Sequence, residues 1–213
     1  MRNFNLLITV IFSCSIAWAQ QDLGIVGPNN WLRGWTSFKP LTNDYPQTTR
    51  ILPNVISADF KLSSYETYSL VGEVYVTNNA TLTIEPGTII RASSDEYSAL
   101  IITKGSKIIA EGLTNNPIIF TSSRSAKERK PGDWGGIYIL GNAPINLYGG
   151  VYRIESSIDP NLIVAGGTNA ADNSGSIKNV RVEFAGKGKS KNTVYDAVSF
   201  IGVGTGTIID GIQ

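Results

Sequence analysis

The stretch from Ala80 to Ala110 repeats itself, and that repeat restricts the fold more than any other feature of the chain. Leu82, Ile84, Gly87, Ile90 and Ala92 return 18 residues later as Leu100, Ile102, Gly105, Ile108 and Ala110. Another 18 residues reaches Ile118 and Phe120, and 19 more, past an insertion, reaches Ile137 and Ile139. Apolar residues two apart, a glycine, then more β-formers make one unit of a solenoid. One coil cannot bury its own inner face, so coils stack and share a core. Taken as one coil, the period predicts two inward ladders with rungs about 4.8 Å apart. Leu82, Leu100, Ile118 and Ile137 form one, and Ile84, Ile102, Phe120 and Ile139 the other. Alternation then sends Thr83, Ile101, Ile119 and Tyr138 outward on successive coils. Three of these four are large and apolar, so a contiguous patch is expected, either covered or serving as a protein-binding surface. The aromatic-rich segment from Trp31 to Phe60 is the expected cover.

Residues 1–19 read as a signal peptide. Met1-Arg2-Asn3 is a basic start, Leu6 to Ile16 an apolar run, and Ala17-Trp18-Ala19 an A-x-A cleavage site. The run of about 13 apolar-leaning residues is too short to span a bilayer. A lipoprotein acylated at Cys14 is the alternative. Either way the expected location is extracellular or on the outer cell surface, and no transmembrane segment is expected in the mature chain. Cleavage removes the only cysteine, and the chain has no histidine. A Ser-His-Asp triad, a Cys-His pair and a His/Cys zinc site are thereby excluded from this segment. Removing Arg2 from the 18 basic residues leaves 17 against 17 acidic ones. A net charge of zero gives no reason to expect nucleic acid or an anionic membrane as partner.

Three segments follow from the pattern: the signal peptide at 1–19, a linker and N-terminal cap at 20–67, and a β-helix at 68–213. Asn78-Asn79, Pro86-Gly87 and Asn115-Asn116 mark corners. Residues 123–132, with Arg124, Lys127, Glu128, Arg129 and Lys130, read as a solvated loop. Residues 146–174 are too long for an ordinary connection and so are functional or partly mobile. No capping segment follows Ile209, and a bare last coil would leave an unpaired edge. The expectation is therefore the N-terminal part of a longer protein.

Several strings together resemble a known group. They are Leu82-Thr-Ile-Glu-Pro-Gly-Thr-Ile-Ile90, Ala110-Glu-Gly, Pro117-Ile-Ile-Phe-Thr-Ser122, Gly132-Asp-Trp-Gly-Gly136, Gly166-Gly-Thr168, Asn173-Ser-Gly175 and Val180-Arg-Val-Glu-Phe-Ala-Gly186. They are similar to secreted right-handed parallel β-helix proteins of the Bacteroidota type, often found with a C-terminal secretion-sorting domain. The resemblance covers about Tyr68 to Gln213. It implies an all-β, right-handed, single-stranded parallel β-helix of pectin-lyase-like fold at the cell surface. It brings no catalytic residues with it.

The residues themselves suggest little chemistry. Acid–base work would fall on carboxylates, Lys or Tyr. Glu183 and Asp210 are the candidates, on what read as neighbouring strands. Asp172 and Asn173 could offer oxygen ligands to calcium, although such residues more often form turns. No cofactor is otherwise expected. Asp133-Trp134 before Gly135-Gly136 is either a sugar-stacking platform or an aromatic lid on the core. Ile101, Ile119, Trp134 and Tyr138 make up the candidate binding surface. The expected function is an exported, non-enzymatic scaffold or adhesion module whose partner is a protein or glycan at the cell surface. The alternative is a carbohydrate-active lyase or hydrolase with catalytic coils beyond Gln213.

Overall fold

The computed structural model describes residues 34–155, 159–190 and 196–213. The signal-peptide reading and Trp31 lie outside them. The named strands are short, and apart from one hairpin they all pair in parallel with a strand one coil away. The chain turns three corners per coil and so builds three sides.

The first side stacks β1 (Arg50–Ile51), β4 (Thr67–Leu70), β7 (Ile89–Ala92), β10 (Ile118–Ser122) and the end of β14 (Gly175–Val182). The second stacks β2 (Val55–Ile56), β5 (Glu73–Val76), β8 (Ala99–Ile102), β11 (Gly136–Leu140) and β15 (Val198–Ile201). The third stacks β3 (Phe60–Leu62), β6 (Thr81–Ile84), β9 (Lys107–Glu111), the start of β14 and β16 (Ile208–Ile212). β14 rounds a corner at Asn179, whose φ is 46°, and so joins the first and third sides into one nine-stranded sheet. This is a parallel β-helix. Its parallel stacking begins at Arg50, ahead of residue 68 where the sequence places the first coil.

The inward direction of the repeat holds, but its period is not one coil. Leu82, Leu100, Ile118, Ile137, Ile84, Ile102, Phe120 and Ile139 are all buried, none more than 2 % exposed. Leu82, however, stacks on Ile108 and not on Leu100. Tyr68 stacks on Ile90, and Leu100 on Ile137, so coils differ in length, and those that carry the repeat are longer than it. Within the two predicted ladders only Leu100–Ile137 and Ile102–Ile139 are true neighbours. An 18-residue step of the repeat moves along two sides rather than round three, and the 19-residue step from Ile118 to Ile137 moves along one. Each side carries the same alternation, so the sequence matches itself after any whole number of sides.

The corners explain the glycines at 87 and 105. Both have left-handed φ, at 84° and 90°. A β-carbon at Gly87 would collide with the Asn116 side chain, and one at Gly105 with that of Asn79. Asn116 Nδ2 in turn donates to the Pro86 carbonyl at 3.1 Å. Corner asparagines thus replace lost backbone partners where the chain bends away from the sheet.

Two sides are covered by the chain itself. Over the second lies the excursion after β11, including the hairpin of β12 (Tyr152–Arg153) with β13 (Val164–Ala165). Its Ile154, Ile163 and Ala165 bury Tyr75, Ile101, Tyr138 and Leu140. Lys104 Nζ anchors the excursion by donating to the Gly166 carbonyl at 3.2 Å. Over the first side runs the segment from Gly34 to Pro46, with Trp35 and Tyr45 buried. It travels against the stacking direction. At its start the Ser37 backbone exchanges hydrogen bonds with the Gln213 side chain at 2.8 and 3.0 Å. At its end the Pro46 carbonyl accepts from Arg91, on an earlier coil, at 3.0 Å. The predicted single patch is therefore two surfaces with two covers. Ile101 and Tyr138 pair on the second side, whereas Ile119 pairs with Ile89 and Arg181 on the first. Thr83 belongs to the third side, between Lys61 and Ile109. Among the described residues no comparable segment lies over the third side.

Ile102 tests the inward assignment. Ile102→Asp should cost more than about 4 kcal/mol in urea unfolding, because an unpaired charge enters the core. Thr83→Asp, outward on the third side, should cost about 1 kcal/mol or less.

Candidate functional site

Where the second side meets its cover, a cleft of about 240 Å³ opens. Its floor is the outward row of the sheet, with Tyr138, Ser199 and Ile201. One wall is the strand Tyr152–Arg153 continuing into Ile154 and Glu155, while Tyr97 and Asp196 come from corners. Tyr97 and Tyr138 bring their hydroxyls within 3.3 Å of each other. A side chain at Gly135 would strike the Tyr97 ring, so glycine there lets the ring lie against the coil. Behind the ring, Lys189 Nζ sits 5.6 Å from its centroid and pairs with Glu73 Oε1 at 2.9 Å. The result is an aromatic-lined hollow with charged groups at its rim, the usual makeup of a small-ligand site.

The first side holds a different constellation, closed to solvent. Glu183 follows β14 and is 7 % exposed. Its carboxylate accepts from Tyr45 Oη at 3.0 Å, from Thr121 Oγ1 at 2.9 Å and from Arg181 Nη2. Arg181 also donates to Tyr45 Oη at 2.9 Å, and Arg129 stacks 4.8 Å over the Tyr45 ring. Arg129 comes from the charged insertion, read from sequence as a solvated loop. It is only 4 % exposed and donates to the Asn43 carbonyl at 2.7 Å. The insertion and the covering segment therefore close over each other. Asp133, with no side-chain exposure, accepts from Ser122 at 2.7 Å and Arg124 at 3.1 Å. The carboxylates are satisfied by these donors, while Arg129 Nη2 and Arg181 Nε stay buried without a hydrogen bond, and pairing of this kind is what a buried charge needs to be tolerated inside.

Three sides, parallel ladders and corner loops that build a cleft on a side wall define this architecture, and comparison of the sequence with known families agrees. Residues 54–213 match the model of the pectate-lyase-like β-helix domain. The chain belongs to that family. No curated protein and no solved structure matches it.

The pectate-lyase-like domain redistributes the residues that the sequence singled out. Of Ile101, Ile119, Trp134 and Tyr138, only Tyr138 lines the cleft, and all four are buried. Ile101 lies beneath the cover of the second side and Ile119 on the first side. Trp134 is inside the core, 6.4 Å from Phe120 with near-parallel rings, and its Nε1 donates to the Glu183 carbonyl at 2.8 Å. It is a lid on the core and not a sugar platform. Glu183 and Asp210 do not meet: Asp210 is exposed on the third side, in register with Lys178. Asp172 accepts from Ser174 Oγ at 3.0 Å, and Asn173 Oδ1 from the Gly175 N–H at 2.8 Å, so both hold the turn before β14. Among the described residues no three acidic, His or Cys side chains converge to hold a metal ion. Tyr97, Tyr152, Arg153, Asp196 and Ser199 were missed. Counting by the true coil would have exposed part of this set, since Tyr75, Ile101, Tyr138 and Ser199 fall in one outward column.

The buried network has a pH signature. Burial, and then the charge of Glu183, raise the Tyr45 pKa above its ordinary value of 10.0. The folded phenol thus keeps its proton at a pH where the unfolded one ionises. Its contribution is complete below about pH 10 and is lost as pH climbs through the raised value. Tyr45→Phe should lower stability by about 1–2 kcal/mol at neutral pH and weaken the loss above pH 10 relative to the unmutated chain. Glu183→Ala, which strands Arg181, should cost about 3–5 kcal/mol. Denaturant unfolding at several pH values reads all three.

Proposed function

We propose that this β-helix domain is exported and acts at the cell surface as a rigid module that binds a glycan without turning it over. The observation that carries the reading is the tyrosine-lined cleft on the second side. It is a concave, partly aromatic site built on rigid strands, as binding sites commonly are. The buried carboxylates Glu183 and Asp133 support the non-catalytic half, because each is occupied by several donors of its own fold. Glu111 is similarly held by Ser176 at 2.6 Å and Lys178 at 3.0 Å. A carboxylate tied down in this way is poorly placed to exchange protons with a substrate. Export rests on residues 1–19, with their basic start, apolar run and A-x-A site.

The family description fits a carbohydrate-active enzyme equally well, and one experiment separates the two. The purified chain is incubated with a panel of neutral and acidic polysaccharides. Retention by at least one polysaccharide, without new reducing ends or unsaturated products, is expected. Steady product release that scales with protein concentration would overturn the non-catalytic reading. For export, the secreted protein should begin at Gln20 by mass spectrometry, and a chain retained in the cytoplasm with Met1 intact would count against it.

A further inference from the structure

We infer that the cleft on the second side takes a neutral, hydroxyl-rich sugar unit, held by Asp196 and Arg153 and stacked on Tyr152. The inference rests on the binding reading above and specifies its ligand. Among the described residues, Arg153, Asp196, Tyr152 and Ser199 make no side-chain hydrogen bond or ion pair, and all four line the cleft. Arg153 and Asp196 are exposed, and Tyr152 is 40 % exposed on a short strand pinned by its pairing with Ala165. This contrasts with Glu183, Asp133 and Asp172, whose side chains are all engaged. Among the described residues, one guanidinium, one carboxylate, one hydroxyl and one aromatic face are thus left uncommitted around this hollow.

That set suits adjacent sugar hydroxyls. A hydroxyl donates to a carboxylate while its neighbour accepts from a guanidinium, and hydrogen bonds to charged partners are stronger and shorter than neutral ones. The apolar face of a sugar ring covers an aromatic ring, which supplies contact area at little conformational cost. Charge decides against an acidic sugar. Asp196 and Arg153 balance in the lining. A uronate would bring a second carboxylate to one guanidinium, and like charges brought together disfavour binding. Size points the same way as shape. The cleft is smaller than the range of about 300–1,000 Å³ typical of drug-sized ligands, so it suits a chain end or a single sugar unit.

The test is calorimetric titration of the purified chain with gluco-, galacto-, manno- and xylo-oligosaccharides and, separately, with oligogalacturonate. At least one neutral series should bind and oligogalacturonate should not. Asp196→Asn and Tyr152→Ala should each weaken the neutral ligand roughly tenfold or more while leaving the circular dichroism and melting curve unchanged, since both residues are exposed. Oligogalacturonate binding as tightly as the neutral series would overturn the inference. So would absence of binding by all the neutral series, or neutral binding indifferent to both substitutions. Turnover of a bound sugar would instead sink only the non-catalytic reading. A failure of the cleft assignment and a failure of the functional proposal thus look different.

Discussion

The parallel backbone ladder between coils is the constraint on which everything else here depends. Each strand on a side donates to and accepts from the strand above and below it. A residue can therefore face only inward or outward, and its neighbours across the stack are fixed. Inward columns such as Val74–Leu100–Ile137–Val198 follow at once, as does the outward column Tyr75–Ile101–Tyr138–Ser199. The ladder says nothing about the corners, which differ freely in length. The coil from Tyr68 to Ile90 is far shorter than the one from Leu100 to Ile137, yet each spans a single rung. The inserted residues become covers, and the covers make the cleft. Rigid sides and elastic corners together produce a site without disturbing the core.

The same division governs where charge is tolerated. Outward on the first side, Arg91, Thr121 and Glu183 follow one another up the stack, a polar column that would be ordinary surface if left bare. The covering segment turns it into interior. Burial lowers the Arg91 pKa, with the neighbouring Arg129 acting in the same direction. Arg91 answers with three backbone carbonyls, from Pro46, Ser123 and Arg124. Carbonyl oxygens spread the compensation over the loops, so the loops are held in place by the very groups they bury.

Much of the fold was legible because alternation with period two is a direct image of a strand with one face in the core. All eight predicted core residues of the repeat are buried, and the parallel β-helix follows from them. The coil length was not legible for a physical reason: Leu82, Ile90 and Leu100 occupy equivalent places on three different sides. Sequence similarity registers that equivalence but not the side. The candidate surface inherited the ambiguity, which is why Ile119 parts from Ile101 and Tyr138. Trp134 was legible as an aromatic lid on the core, one of the two readings its Gly-Gly context allowed, and its ring turns inward against Phe120. The cleft was hidden because Tyr152, Arg153 and Asp196 belong to insertions and corners. Such residues carry no periodic signal, and only the folded cover brings them beside Tyr138 and Ser199.

The path of the segment from Gly34 to Pro46 has a mechanical consequence. Solenoids are ordinarily chains of nearest-neighbour contacts, able to fray coil by coil from an end. Here Trp35 packs where Gly211 leaves room, Ser37 is tied to Gln213, Tyr45 to Glu183, and Pro46 to Arg91, before the chain enters the first coil at Arg50. One strip of backbone therefore runs along the stack, like the binding of a book. Force applied along the axis must lift this strip before any single rung can open. The strip couples the rung at Arg50 to the rung at Gln213 and turns stepwise peeling between them into one concerted event.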